Sequence, residues 1–218
     1  MEILKAFVSW SGGKDSALAC FRTMKKGIKI LYLLNMLRET GDCSHSHGLS
    51  AELLKAQAFA IEIPIIQKAT TWENYEEEFK KTILELKEEG IIAGVFGDID
   101  VEEHRAWIER VCREIGIKPI LPLWKEERET LMKEFINAGF KAIVCATNAE
   151  FLGPEWLGRE INYDFLEDLK RLGTVDLCGE KGEYHTFVYD GPIFKNPVKF
   201  SVGKWIQRDK KYFLEIIL

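Results

Sequence analysis

The sequence predicts an α/β protein: a parallel five-stranded sheet with flanking helices, followed by a smaller C-terminal α+β part. Three observations carry that expectation. Strand-length apolar runs alternate with helically periodic stretches through the first 125 residues, the pattern of parallel strands joined by crossover helices. Beyond residue 125 the pattern changes to helices interspersed with short β runs. The first strand also leads through a serine- and glycine-rich turn into a helix, an arrangement suited to binding an anion.

Ile3, Leu4, Ala6, Phe7 and Val8 form the first strand, and Ala17, Leu18 and Phe21 mark the stripe of the helix after the turn. Ile28–Leu34 is a second buried strand, ending at Asn35-Met36 and followed by a polar stretch, Arg38 to Gly48. Leu49–Ile61 is helical and Ile63–Ile66 is the third strand. Thr70 and Glu73 have capping-box spacing, ahead of a helix whose stripe is Trp72, Tyr75, Phe79, Ile83 and Leu86. On its wet face Glu76/Lys80 and Glu77/Lys81 stand four apart, and Gly90 stops it. Ile91–Phe96 is the fourth strand, running into Gly97-Asp98-Ile99-Asp100. Glu102–Ile115 is the next helix and Lys118–Leu123 the fifth strand. With the first strand central, strands two and three on one side and four and five on the other, the switch point lies between strands one and four. Ligands bind at the carboxyl ends of strands there. The later elements are a helix (Glu127–Ala138), a strand (Lys141–Ala146), a helix (about Asn162–Leu172), strands at Thr186–Tyr189 and Val198–Val202, and a final pair around Arg208–Lys211. The expected division is 1–125 and 126–218.

A chain of 218 residues, 46% apolar and 30% charged, suffices for one large or two small domains. No apolar run approaches the ~18 residues of a membrane span, so no membrane partner is expected. Met1-Glu2 opens directly into a strand, so no leader is expected. Five cysteines without a C-x-x-C pair read as thiols in a reducing, cytoplasmic setting. A net charge of −5 argues against a nucleic-acid partner. A homodimer is an assembly the sequence leaves open.

The turn after the first strand is Ser11-Gly12-Gly13-Lys14-Asp15-Ser16. Its glycines permit backbone conformations and approaches that a Cβ would forbid. Ser11 and Ser16 add hydroxyls, and the first turn of the helix aims free N–H groups at the same place. The spacing is not that of a Walker A loop, and a plain glycine turn feeding a helix is the bland reading. Ser-Gly-Gly-x-Asp-Ser in this context resembles the PP-loop ATP pyrophosphatases, with their adenine-nucleotide α-hydrolase-like fold. The resemblance implies ATP cleaved between the α and β phosphates.

A second concentrated stretch is Cys178-Gly179-Glu180-Lys181-Gly182-Glu183-Tyr184-His185-Thr186. It resembles the G-E-x-G-E-[FY]-H-T motif of the diphthine–ammonia ligase family within the PP-loop superfamily. Trp10, Ser46-His47-Gly48, Gly97-Asp98, Glu103-His104-Arg105 and Pro122-Leu123-Trp124 fit that family's layout, so the resemblance spans nearly the whole chain. It implies ATP-dependent amidation, with ammonium, of diphthine on translational elongation factor 2, through an adenylated carboxylate and with release of AMP and pyrophosphate. It further implies that Ser11, Gly12, Gly13 and Ser16 bind phosphates with Lys14 nearby, and that Asp15 and Asp98 hold Mg²⁺. Asn35 and Met36 would receive adenine. Glu180, Glu183, Tyr184 and His185 would face the acceptor, with His47 closing on it; Asp15, Glu183 and His185 are the implied catalytic set. Tyr184 or Trp156 would neighbour a quaternary ammonium.

Each of these has a plainer alternative. Lys14 could point to solvent, and His185 could be a hydrogen-bonded sheet histidine. Arg105 could meet phosphate or pair with Glu102 or Glu109. Cys43-x-His45-x-His47 lacks a fourth ligand and tetrahedral-site spacing, so a mobile loop is preferred there over zinc. Two rival functions stay open: a PP-loop adenylase acting on tRNA or a small carboxylate, and an ATP-binding sensor without catalysis.

Overall fold

Strands that alternate with crossover helices pair side by side and parallel, and the first five do so here. β1 (Lys5–Ser9), β2 (Lys29–Arg38), β3 (Ile65–Thr70), β4 (Ala93–Val95) and β5 (Lys118–Ile120) form one sheet in the order β3-β2-β1-β4-β5. The computed structural model describes residues 3–45 and 47–218. Met1-Glu2 and Ser46, on which an expected chain start and part of a motif rested, lie outside the described residues.

Side chains alternate across the sheet, so Ala6 and Val8 of β1 face one layer and Phe7 the other. On the first face pack α1 (Lys14–Lys25) and α2 (Ala51–Ile61); on the second pack α3 (Tyr75–Glu88) and α4 (Glu102–Ile115). β1 and β4 are neighbours, so the expected switch point is present between them.

The remaining strands form an antiparallel sheet. β6 (Lys141–Asn148), β7 (Tyr184–Asp190), β8 (Ser201–Arg208) and β9 (Lys211–Ile217) run in the order β7-β6-β9-β8. α5 (Arg128–Asn137) and α6 (Tyr163–Leu172) cover it, with a short 3-10 turn at Pro154–Trp156. One core runs from α1 and α2 into this sheet: Ala17, Leu54, Phe135, Val144, Phe165 and Phe187 belong to a single buried cluster.

Three local expectations are corrected. β2 runs four residues beyond Leu34, because it pairs with β3 as far as Arg38 opposite Thr70. Thr70 is therefore a buried strand residue whose hydroxyl donates to the Leu37 carbonyl at 3.1 Å, not a helix cap. The turn is made instead by Thr71 and Asn74, which exchange backbone-to-side-chain hydrogen bonds of 2.8 and 3.3 Å. α3 starts only at Tyr75, and Trp72 stands before it and is 74% exposed. Finally, Val198–Val202 is not a separate strand: β8 begins at Ser201 and runs on to meet β9 across the Asp209–Lys210 turn.

Candidate active site

The Ser11–Ser16 turn sits at the carboxyl end of β1 and is held from three sides. Gly12 has φ +81°, and a Cβ there would fall 2.6–2.9 Å from the side chains of Leu54, Gln57 and Leu49. Gln57 is fully buried in α2 and spans the turn. Its Oε1 accepts from Trp10 Nε1 at 2.9 Å, and its Nε2 donates to the carbonyls of Gly12 (2.9 Å) and Val188 (2.6 Å). From β7, Val188 N–H donates to Gly12 O at 3.0 Å, and the Thr186 hydroxyl oxygen accepts from Lys14 N–H at 3.0 Å. Ser11 and Ser16 hydroxyls are 3.1 Å apart. With the Lys14 N–H taken by Thr186, the next first-turn N–H groups of α1, those of Asp15 and Ser16, have no intrahelical acceptors and can donate to an anion.

A cleft of about 590 Å³ opens above the ends of β1, β2 and β4. Its floor carries Ser9–Ser11, Asn35 and Met36, and its rim carries Asp98 and His104. Its walls are aromatic: Trp72, Tyr75, Phe79, Phe96 and Trp107, with His45 and His47. His45 lies 4.6 Å from the Trp72 ring and bonds Thr70 Oγ1 at 3.0 Å. Asn35 Nδ2 donates to Trp10 O at 2.7 Å, while Asn35 Oδ1 is buried without a partner. An unmet buried acceptor costs about 1–3 kcal/mol unless a ligand supplies the donor. Burial pushes the Tyr75 hydroxyl up to about 12, with the Asp98 charge adding to it.

Behind the cleft floor lie the charged groups. Lys14 is buried and points inward, not to solvent: its Nζ contacts Asp15 Oδ2 at 2.8 Å and also donates to the Cys178 carbonyl. Burial alone would lower its pKa, but the Asp15 carboxylate together with Tyr184 and Cys178 outweighs that and holds the ammonium charged. Asp15 is raised by burial against the opposing pull of Lys14, with Asp98 adding like charge. Asp98 accepts from or pairs with His104 Nδ1 at 3.1 Å, and this bond raises the His104 pKa. Glu180 Oε1 accepts from Ile99 N–H at 3.0 Å. Burial pushes its carboxyl up to about 7, and the Asp15 and Asp98 charges work in the same direction. Arg128 ties this region together, meeting Asp176 at 2.6 Å and Asp100 at 2.8 Å.

The 178–186 motif divides by facing. Glu183 is buried: its two oxygens accept from the N–H groups of Asp176 (3.3 Å) and Lys181 (3.0 Å). It therefore shapes the turn, helped by Gly179 and Gly182 at φ +66° and +82°, with both carboxylate oxygens engaged inside its own loop. Tyr184 is likewise interior: its hydroxyl donates to Leu177 O at 2.6 Å and its ring packs edge-on to Phe165. Trp156 is buried with Arg159 stacked at 4.3 Å, so its face is taken by a cation of the chain itself. Arg105 pairs with Glu109 at 2.6 Å.

His47 and His185 come together, ring centroids 4.4 Å apart. The segment carrying His47 is bridged to its surroundings on both sides, Leu37 to Ser44 and Cys43 to Ser50. His47 already rests on the turn, since a Cβ at Gly13 would meet its Nε2 at 2.6 Å. Burial takes His47 down to about 3 and His185 well below its ordinary value; nearby Lys14 and Lys211 add to both. His47 Nδ1 and His185 Nε2 are buried without partners.

Of the expected site residues, Ser11, Asn35, Met36, His47 and Asp98 line one cleft. Asp15, Glu180 and His185 stand behind it, while Gly12, Gly13, Lys14 and Ser16 form the pinned turn. Among the described residues no three His, Cys, Asp or Glu side chains are grouped to hold a metal. A hard cation would take Asp15 and Asp98 together with ligand oxygens. Sequence reasoning missed Gln57, Tyr75 and Trp107, and named His104 only within the Glu103-His104-Arg105 motif, without a role. Gln57 left one signal, a polar residue on the apolar stripe of Leu53, Leu54, Ala58 and Ile61.

The comparisons with known proteins agree along the chain's length. The family model described as the diphthamide synthase N-terminal domain matches residues 4–119, and that described as the diphthamide synthase C-terminal domain matches 127–216. A diphthine–ammonia ligase of Mus musculus is 32% identical, with the match covering 94% of this chain and 86% of that protein. The Homo sapiens protein of that name is 28% identical, covering 86% and 79%. That of Schizosaccharomyces pombe is 24% identical over 86% of this chain and 34% of its own length.

Proposed function

The chain belongs to the diphthamide synthase family, and from that membership we propose that it is an AMP-forming diphthine–ammonia ligase. Its reaction is ATP-dependent amidation of diphthine on elongation factor 2, with ammonium as nitrogen donor. The observation that carries this reading is the pinned glycine turn opening onto an aromatic cleft at the β1/β4 switch point, with Asp98, Asp15 and Glu180 grouped beside it.

A carboxylate resists ammonia because oxide is a poor leaving group. Attack of a carboxylate oxygen on the α phosphorus of ATP breaks the α–β bond and releases pyrophosphate. Ammonia then attacks the carbonyl carbon of the mixed anhydride, AMP departs, and nitrogen gives up a proton. The protein's part is positioning and electrostatics. Adenine enters the aromatic cleft and offers its amino group to Asn35 Oδ1, beside Met36. Ser11, Gly12, Gly13 and Ser16 receive phosphate oxygens on hydroxyl and N–H donors. Lys14 contributes its charge from below while holding Asp15. Asp15 and Asp98 would hold Mg²⁺, which would supply positive charge to offset that of the departing pyrophosphate. Glu180, poised near 7, binds ammonium and accepts its proton. His47 and His185, kept neutral, present unpaired ring nitrogens toward the reacting groups. Glu183 and Tyr184 are positioning residues that hold the 178–186 turn. Residues 1–125 carry the nucleotide and 126–218 recognise the acceptor; the setting is cytoplasmic.

The test is incubation of diphthine-bearing elongation factor 2 with this protein, MgATP and ammonium, followed by peptide mass analysis. A carboxyl-to-amide change at the modified histidine, matched by AMP, is the expected result. AMP without amide overturns the acceptor; neither product overturns the enzyme reading.

A further inference from the structure

A second and larger concavity, about 890 Å³, lies on the other side of the 43–50 segment from the cleft. Its described residues form a shared wall: Ser44, His45 and His47 line the cleft, whereas Cys43, Gly48 and Ser50 line this groove. The opposite wall is the β8–β9 hairpin, and a Cβ at Gly48 would meet the Phe213 ring at 2.9 Å. Lys211 of the groove and His185 sit on the two strands flanking β6, paired with Asn148 and Ala146.

Charge sets the groove apart from the molecule. The chain carries −5 overall, yet the lining holds five cations (Arg38, Lys204, Arg208, Lys210 and Lys211) against three carboxylates (Asp42, Asp209 and Glu215). Lys210 pairs outward with Glu150 at 2.5 Å. Among the described residues none of the other four cations has a carboxylate within ion-pair distance. Beside them β8 is an edge strand, with one neighbour and a free line of N–H and C=O groups. Val202, Trp205 and Ile206 on it are 45–51% exposed. Exposed edges of this kind are normally blunted or covered, because they pair with any extended chain that fits.

We propose that this groove docks the protein acceptor, as an extended segment bearing apolar and acidic side chains that adds along β8. Strand addition supplies backbone hydrogen bonds, Ile206 takes an apolar side chain on the groove face and Trp205 one on the opposite face of β8, and Arg38, Lys204 and Arg208 take carboxylates. From there a long modified side chain crosses only the 43–50 wall to reach the nucleotide. The inference rests on the ligase reading above and names the surface through which that reaction recognises its substrate.

The test is acceptor-dependent amidation by the full chain carrying Lys204→Glu with Arg208→Glu, and separately Trp205→Ser. These side chains are exposed, so the melting temperature stays with the wild type. The expected result is an acceptor KM raised about tenfold by the charge reversal, a difference of about 1.4 kcal/mol, with kcat and the KM for ATP unchanged. The salt dependence of the acceptor KM flattens with it. Trp205→Ser raises the same KM without changing the salt slope. An acceptor KM within twofold of wild type in both variants overturns the proposal. So does a change in particle mass by light scattering with KM unmoved, which marks β8 as a self-association edge. Wild-type protein that amidates no acceptor sinks the ligase reading itself, and that outcome is distinct from amidation with an unmoved KM.

Discussion

Replacing Gln57 by Leu tests whether the phosphate-site turn is held as the structure implies. The volumes are close, so no large cavity forms, and the effect isolates hydrogen bonding. Trp10 Nε1 and Val188 O lose the partners Gln57 supplies, while Gly12 O keeps the Val188 N–H at 3.0 Å. Two buried polar groups left unmet, at about 1–3 kcal/mol each, amount to about 2–6 kcal/mol. A chain of this size loses about 2–4 °C per kcal/mol, so the melting temperature falls by about 10 °C. Calorimetric melting and titration with ATP read the two consequences: lower stability and weaker nucleotide binding, since the turn carrying Gly12 and Gly13 is no longer fixed. Gln57→Glu separates shape from bonding. Its ionised carboxylate faces two carbonyls and its protonated form can donate to one, so this variant melts lower at pH 8 than at pH 5. A Leu variant that melts within about 2 °C of wild type and binds ATP equally well would refute the reasoning.

Three further outcomes follow from the same geometry. With a folded-state pKa of about 7 against an ordinary 4.5, Glu180 favours folding only while protonated. Stability is therefore lost as pH rises from about 4.5 to 7, and Glu180→Gln raises the melting temperature more at pH 8 than at pH 5; the same variant abolishes the rise of amidation rate through pH 7. His47 has the opposite sign: its pKa is lowered from 6.5 to about 3, so stability is intact above 6.5 and declines as pH falls toward 3. Urea midpoints at pH 7 and pH 5 should differ more in wild type than in His47→Gln. Glu183→Gln turns one acceptor into a donor facing a backbone N–H, at a cost of about 1–3 kcal/mol. It should lower the melting temperature and the amidation rate together, and a variant that loses activity at unchanged stability would show that Glu183 touches substrate.

Much of the fold was legible because its causes are local. Apolar runs, helical stripes and glycine stops are properties of neighbouring residues, and crossover handedness leaves few ways to assemble them. The central place of β1 and the nearness of Ser11 to Asp98 followed from that. The aromatic cleft did not, because Tyr75 and Trp107 belong to stripes on α3 and α4 that look the same whether they face a core or a ligand. The Thr70/Glu73 spacing misled for a related reason: β3 pairing with β2 recruited Thr70 before a cap could form.

By itself the sequence determined the α/β order, the glycine turn after β1 and the two motifs by which the family is recognised. Only the tertiary structure decided which side chains of those motifs line the cleft and which are buried. Strand β7 turns Tyr184 inward and sets His185 against His47, and the Glu183 carboxylate closes on amides of its own loop. Gln57, Thr186 and Val188 meet at Gly12 and Lys14 although they are 45 to 176 residues away in sequence. Facing and long-range hydrogen bonding arise when β7 packs on α1, and no local pattern encodes that contact.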